Sequence, residues 1–234
     1  RESEVQTLSV YAQDQIDLTD QFKLVLGGRL DRFEIDVTDI GNAAQFSRTD
    51  EEFSPRLGVI YKPAENVSIY GSYSESFLPR SGDQFLTLNL DSSQTEPQGF
   101  ENLEAGVKWD IRPDFSLTAA VFALDRSSFL TQETDNQDQS IAVEGSKTRG
   151  FETQLSGQHT EAWSINAGYT YLDGEVRFEG SALDGNRTRQ TPKHSASIWN
   201  QYQVSDQLGL GLGATYQGSY FVREDNTTEV PDYI

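Results

Sequence analysis

The segment Leu103-Glu104-Ala105-Gly106-Val107-Lys108-Trp109-Asp110-Ile111 decides the fold. Its odd positions are Leu, Ala, Val, Trp and Ile; its even positions are Glu, Gly, Lys and Asp. Successive strand side chains point to opposite faces, so this is a strand with one apolar and one polar side. The same rule governs Trp163-Ser164-Ile165-Asn166-Ala167-Gly168-Tyr169-Thr170-Tyr171 and Leu208-Gly209-Leu210-Gly211-Leu212-Gly213-Ala214-Thr215-Tyr216-Gln217. It holds again over 22–30 and 115–123. Asp14 on the apolar side of the first strand, and Phe122 and Leu124 on the polar side of theirs, are blemishes. No stretch sustains a helical period, so the chain is all-β.

The connections alternate in length. Short turns start at 17, 63, 112, 159 and 205, so they recur 46, 49, 47 and 46 residues apart. Their Pro, Asp and Asn residues suit tight turns by fixing φ or by hydrogen-bonding their own backbone. Between them lie longer polar segments, near 38–50, 78–99, 132–140, 173–193 and 222–229, too variable for tight hairpins. The repeating unit is a strand pair with a short turn at one end and a long loop at the other. Five units predict ten strands.

The whole chain has 234 residues, 37 acidic against 18 basic, and a formal charge of −19. That excess argues against a nucleic-acid partner, which needs a basic surface. The absence of cysteine excludes disulfide scaffolds, thiolate metal sites and cysteine nucleophiles. The absence of methionine marks a processed or excised piece of a longer chain. The longest nearly unbroken apolar stretch, 117–124, is too short for a membrane helix, and no signal peptide opens the sequence. Composition alone describes a soluble acidic protein. The strand pattern describes something else.

In a soluble sandwich or barrel the apolar face lies inside and the wet face carries Lys, Glu and Arg. In a transmembrane barrel the apolar face meets lipid, the polar face lines the lumen, and aromatic girdles mark both interfaces. Here the polar face is rich in Ser, Thr, Gly, Asn and Gln. Phe22, Tyr61, Trp109, Phe115, Trp163 and Tyr202 flank the short turns, while Tyr73, Phe77, Tyr169, Tyr171, Tyr216 and Tyr220 lie towards the long loops. Closure into a barrel would also satisfy backbone groups that lipid cannot. The pattern therefore predicts an antiparallel up-and-down transmembrane β-barrel.

Several segments resemble the barrel of TonB-dependent outer-membrane siderophore receptors. They are Phe53-Ser54-Pro55-Arg56-Leu57-Gly58-Val59-Ile60-Tyr61-Lys62-Pro63, Ile69-Tyr70-Gly71-Ser72-Tyr73-Ser74-Glu75-Ser76-Phe77, Glu101-Asn102-Leu103-Glu104-Ala105-Gly106-Val107-Lys108-Trp109, Thr118-Ala119-Ala120-Val121-Phe122, Arg149-Gly150-Phe151-Glu152 and Thr191-Pro192-Lys193-His194-Ser195-Ala196. The run Pro79-Arg80-Ser81-Gly82-Asp83-Gln84-Phe85 most resembles the catecholate branch. The resemblance implies a barrel of roughly 22 strands, of which residues 1–234 supply about ten. It also implies a plug domain, an energy-coupling box that engages TonB, and final strands, none of which matches this sequence. The stretch from Val230 to Ile234 resembles the start of a further strand. By the same resemblance the protein is a receptor of the bacterial outer membrane for ferric siderophores, energised by TonB through the missing N-terminal plug region. Its other partners would be outer-membrane lipid and lipopolysaccharide. The chelate is transported ligand; no resident cofactor is implied.

Ligand contact is expected from Phe77, Arg80, Gln84 and Phe85 around the longest loop, where an arginine pairs with an anionic chelate and rings stack on flat ligand groups. Arg187, Arg189 and Lys193 form a local basic cluster that could meet the siderophore or lipopolysaccharide phosphates, or simply balance nearby acids. Arg126 and Arg223 are weaker versions of the same argument. Arg29, Arg56, Glu104 and Lys108 face inward, where pairing with one another or with a plug is expected. The acidic run 133–138 could hold calcium but lacks the glycine and distal glutamate of an EF-hand loop. Gly209, Gly211 and Gly213 sit inside a strand pattern and so leave room in the lumen rather than cradle phosphate. The sequons at Asn66, Asn186 and Asn226 are incidental in a bacterial outer membrane. His159, in a short turn, and His194, near a long loop, are expected at opposite ends of the barrel, and no nucleophile elbow is present, so no enzyme is expected. The alternatives are a passive porin-like barrel and a soluble all-β binding or adhesion module.

Overall fold

The computed structural model describes residues 2–41, 44–79, 97–132 and 140–234. Ten strands form one antiparallel sheet in chain order. They are β1 Glu2–Asp17, β2 Phe22–Asp39, β3 Ala44–Ala64, β4 Val67–Leu78, β5 Gln98–Arg112, β6 Phe115–Gln132, β7 Ser140–Thr160, β8 Trp163–Arg177, β9 His194–Ser205 and β10 Leu208–Gln217. Each pairs only with its sequence neighbours, so β1 and β10 are the sheet's two edges. The strands are long because they satisfy their backbone groups sideways, the one arrangement besides a helix that a bilayer accepts.

Short polar side chains close the turns. Thr19 Oγ1 accepts from the amides of Gln21 and Phe22 at 3.2 and 3.0 Å, and Thr160 Oγ1 accepts from Trp163 at 3.1 Å. Neighbouring turns are also tied together: Arg112 donates to the carbonyls of Gln158 and His159 at 2.9 and 2.6 Å.

The two faces are separated as the alternation requires. Leu26, Leu57, Tyr73, Leu103 and Ala123 are successive cross-strand partners on the apolar side. They do not converge on a dry centre: Leu103 is 61% exposed and Leu212 76%. A soluble module, whose apolar face would be buried, does not fit. The polar side holds a cavity of about 890 Å3 lined by Tyr70, Lys108, Glu152, Gln154, Asn166 and Trp199. On that side the Trp199 ring lies across two glycines of β10. A Cβ would fall 2.7 Å from it at Gly211 and 2.5 Å from it at Gly213, which accounts for the glycine run.

Three of the four inward-facing charges find local partners rather than one another. Arg29 pairs with Asp31 at 2.8 Å, Glu104 accepts from the Tyr70 hydroxyl at 2.7 Å, and Lys108 stands 5.7 Å from the Tyr70 ring centre. The aromatic girdles are in place. Phe22 and Tyr61 stack at 4.6 Å beside the first two short turns. Trp163 donates its indole N–H to Asn200 at 3.1 Å. His159 packs on Trp163 at the short-turn end, and His194 meets the Tyr169 hydroxyl at 2.9 Å at the other.

Two boundaries differ from expectation. The polar stretch 44–50, expected as loop, is strand: it stays paired with β2, and Arg32 of β2 reaches across the ladder to Glu51 of β3 at 3.0 Å. The apolar alternation lapses in this part of β3, but across the ladder Ile35 and Val37 of β2 are buried, at 1% and 2% exposure, and the pairing continues. Likewise β8 runs on to Arg177, into the expected loop. The final residues, expected as the start of a further strand, do take up strand pairing. Tyr220–Phe221 (β11) pairs with Glu229–Val230 (β12), and Tyr233 bridges back to Gln217.

Candidate functional site

The long-loop end carries two groups of candidate residues. The first gathers at the tops of β4, β5 and β6. Pairing of β3 with β4 begins at Arg56 and Ser74, but β4 continues upward to Leu78. Above that parting, Phe33 of β2 meets Phe77 of β4 edge-on at 5.6 Å. Glu75, Phe77 and Glu101 keep the parity of the apolar face, yet here that face looks into a cleft shared with the β2–β3 hairpin. The cleft has a volume of about 550 Å3, and its lining includes Glu52, Phe53, Phe77, Phe100 and Arg126.

Arg126 is held in a fixed pose. It donates to the side-chain oxygen of Gln98 at 3.0 Å and lies 5.8 Å from the Phe100 ring centre. Gln98 is only 2% exposed, so its amide is a built support rather than a surface accident. A guanidinium over one ring, with a second ring nearby, can grip a flat, electron-rich anion. Glu75, Glu101, Asp125 and Glu144 also line the cleft and make its field acidic. Asp125 in turn pairs with Lys147 at 3.1 Å and Arg177 at 3.4 Å.

The second group is the interlock of the β8–β9 loop with the segment after β10. Arg187 reaches the carbonyls of Thr191 and Ser219, each at 3.4 Å, and lies 5.2 Å from the Phe221 ring centre. Arg189 pairs with the buried Glu224 at 3.2 Å. Asn226, at φ 54°, accepts from the Arg187 amide and donates to the Arg187 carbonyl, both at 2.9 Å. Asn186 donates to the Glu224 carbonyl at 2.8 Å. Arg223 contributes its carbonyl to Asn226 at 3.2 Å. Two of the three sequons therefore sit in a side-chain lock.

A family model described as "TonB dependent receptor-like, beta-barrel" matches residues 1–234. The chain belongs to this family. TonB-dependent receptors are β-barrels of the Gram-negative outer membrane, so the exposed apolar face of this receptor segment meets lipid. The chain is 34% identical, over 98% of its length, to a probable TonB-dependent siderophore receptor, PiuA, of Acinetobacter baumannii. It is 30% identical over 98% to the metal-pseudopaline receptor CntO of Pseudomonas aeruginosa, and 27% over 97% to the catecholate siderophore receptor Fiu of Escherichia coli. It spans about a third of each of them, 34% of their lengths. The crystal structure of PiuA superposes with a TM-score of 0.88 at 33% identity, over 99% of this chain and 36% of that one.

Of the residues singled out in the sequence, the TonB-dependent receptor fold brings Phe77 and Arg126 into one cleft, and Arg187, Arg189 and Arg223 into one interlock. Arg80, Gln84 and Phe85 lie outside the described residues, as does the acidic run 133–138. Phe100 and Glu101 were missed because they sit within a regular strand pattern, and Gln98 because it was read as part of the polar segment 78–99. Their signal was position: they end β5 directly opposite the residues that end β4.

Proposed function

We propose that this chain is part of an outer-membrane receptor that takes up ferric siderophores. The reading is supported by one observation above all: a barrel wall akin to siderophore receptors carries at its rim a cleft lined by Phe53 and Phe77, with Arg126 supported by Gln98 and lying over the Phe100 ring. The chelate would be captured there, with catecholates favoured because their flat anionic rings match a guanidinium and phenyl surface. Arg80, Gln84 and Phe85 would complete the grip from the β4–β5 loop. Arg187, Arg189 and Arg223 would frame the opposite side of the mouth. TonB would drive passage by acting on the plug region that the family's receptors carry. Iron enters as cargo, and neither a resident cofactor nor an enzymatic step is proposed.

The test is uptake of radioactive iron by cells whose only ferric-siderophore receptor is the complete protein. Arg126→Ala with Phe100→Ala should weaken ferric-catecholate binding by about tenfold or more, the factor given by 1.4 kcal/mol of lost contact. Uptake should cease without TonB. Passive, TonB-independent flux would replace this reading with a porin-like one.

A further inference from the structure

The rim cleft is built around one supported cation and is ringed by acid. Phe100 of β5 and Arg126 of β6 are register partners. One residue nearer the short turns, Glu75, Glu101 and Asp125 form a cross-strand row over β4, β5 and β6. Rows one residue apart lie about 3.3 Å apart along the strands, and members of a row about 4.8 Å apart across them. Both rows line the same cleft, together with Glu52 and Glu144.

Few cations answer these carboxylates. Five lining residues are acidic and two, Arg126 and Arg177, are basic, a formal charge of −3. Arg177 is spent on Asp125, which Lys147 also reaches. Glu75 accepts from the Tyr73 hydroxyl and Glu144 from the Glu179 amide, contacts that bring no positive charge. Basic residues across the mouth are tied elsewhere, Arg189 to Glu224 and Lys193 to Asp173. The β4–β5 connection sets Arg80 against Asp83, Asp91 and Glu96, so its sequence adds acid as well.

A ferric triscatecholate is a trianion. Its flat rings suit Phe100 and Arg126, but its charge does not suit the carboxylate row beside them, and like charges brought together weaken binding. A chelate that carries its own positive groups meets both demands. With a ring on Arg126, ammonium groups on its backbone would stand within about 5–10 Å of that row.

We propose that the cleft selects chelates by charge. Its substrates are ferric catecholates whose backbone bears protonated amines; Arg126 and Phe100 hold a catecholate ring while Glu75 and Glu101 attract the ammonium groups. The proposal rests on the siderophore-receptor reading and narrows its substrate class.

The test compares two ferric triscatecholates with identical donors. One is trianionic; the other is singly anionic because two protonated amines replace neutral linker atoms. Affinity for the complete receptor in detergent is read by quenching of its intrinsic fluorescence. The amine-bearing chelate should bind about tenfold more tightly at low salt, as two exposed charge pairs imply. The margin should narrow as ionic strength passes about 0.1 M. Glu75→Gln with Glu101→Gln should remove most of it, chiefly by binding the trianion better, and Arg126→Ala should weaken both chelates alike. Heat-modifiable electrophoretic mobility checks that each variant is still a barrel, and the salt series on the unaltered receptor needs no variant at all. Equal affinities, a preference for the trianion, a margin indifferent to salt, or one that survives in the double glutamine variant overturns the proposal. Binding of neither chelate overturns the catecholate reading along with it, whereas binding of both without preference overturns charge selection alone.

Discussion

Glu75 at the top of β4 and Glu101 at the top of β5 are direct cross-strand partners, so two carboxylates stand face to face at the mouth of the cleft. Like charges in this position destabilise a strand pair. The Tyr73 hydroxyl donates to Glu75 at 2.5 Å, which relieves only one member. The pair adds negative field where Arg126 and the rings would meet an anionic chelate.

Glu101→Gln should therefore do two things. It should stabilise the β4–β5 pair by about 0.2–1 kcal/mol. It should also speed association of an anionic ferric chelate at low ionic strength, with the gain shrinking once salt screens beyond about 10 Å. Stopped-flow quenching of receptor fluorescence across a salt series reads both regimes. A gain that ignores salt would mean that the effect is steric.

The face assignment predicts an asymmetry between neighbours on one strand. Val121→Arg places a cation against hydrocarbon near mid-bilayer and should cost about 2–4 kcal/mol in equilibrium unfolding from lipid vesicles. Thr118→Arg points into the polar cavity and should cost far less. Similar penalties at both positions would contradict the lipid-facing assignment.

The strand number and both faces were legible because a period of two survives almost any local substitution. Where β3 leaves β4 was not legible, since parting strands keep their own alternation; hence Phe77 reads as girdle but packs on Phe33. Arg126 reads as a strand-end cation, and its dependence on Gln98, 28 residues away, is invisible before the strands are paired. The cluster Arg187, Arg189 and Lys193 reads as one patch, yet the three side chains turn to Ser219 and Thr191, to Glu224 and to Asp173 respectively. Charge clustering along a chain gives no direction to the side chains, which cross-loop partners supply.

Gly157 carries a positive φ of 129°, and a Cβ there would fall 1.9 Å from the Asp114 carbonyl. No side chain can swing away to relieve a clash with backbone. Gly157→Ala should lower stability by about 1–3 kcal/mol and loosen the β5–β6 turn against β7. The effect should appear as a lower Tm, with the rim cleft's ligand affinity unchanged. A variant as stable as wild type would mean that β7 can shift locally without loss.

Asn226 closes the interlock in two separable ways. Its left-handed backbone places the loop, and its amide clamps both the N–H and the C=O of Arg187. Asn226→Gly keeps the backbone freedom and removes the amide, so it should loosen the lock by about 0.5–1.5 kcal/mol for each hydrogen bond lost. Asn226→Ala removes the amide and adds a left-handed penalty of roughly 1–2 kcal/mol. Hydrogen exchange should therefore rank the two loops' opening as alanine above glycine above wild type. The Asn186 and Glu224 contacts tie the same two segments, so protection should fall together over 186–193 and 220–228. Loss confined to one segment would show that the loops open independently, and that the side of the mouth carrying Arg187 and Arg189 is two elements rather than one.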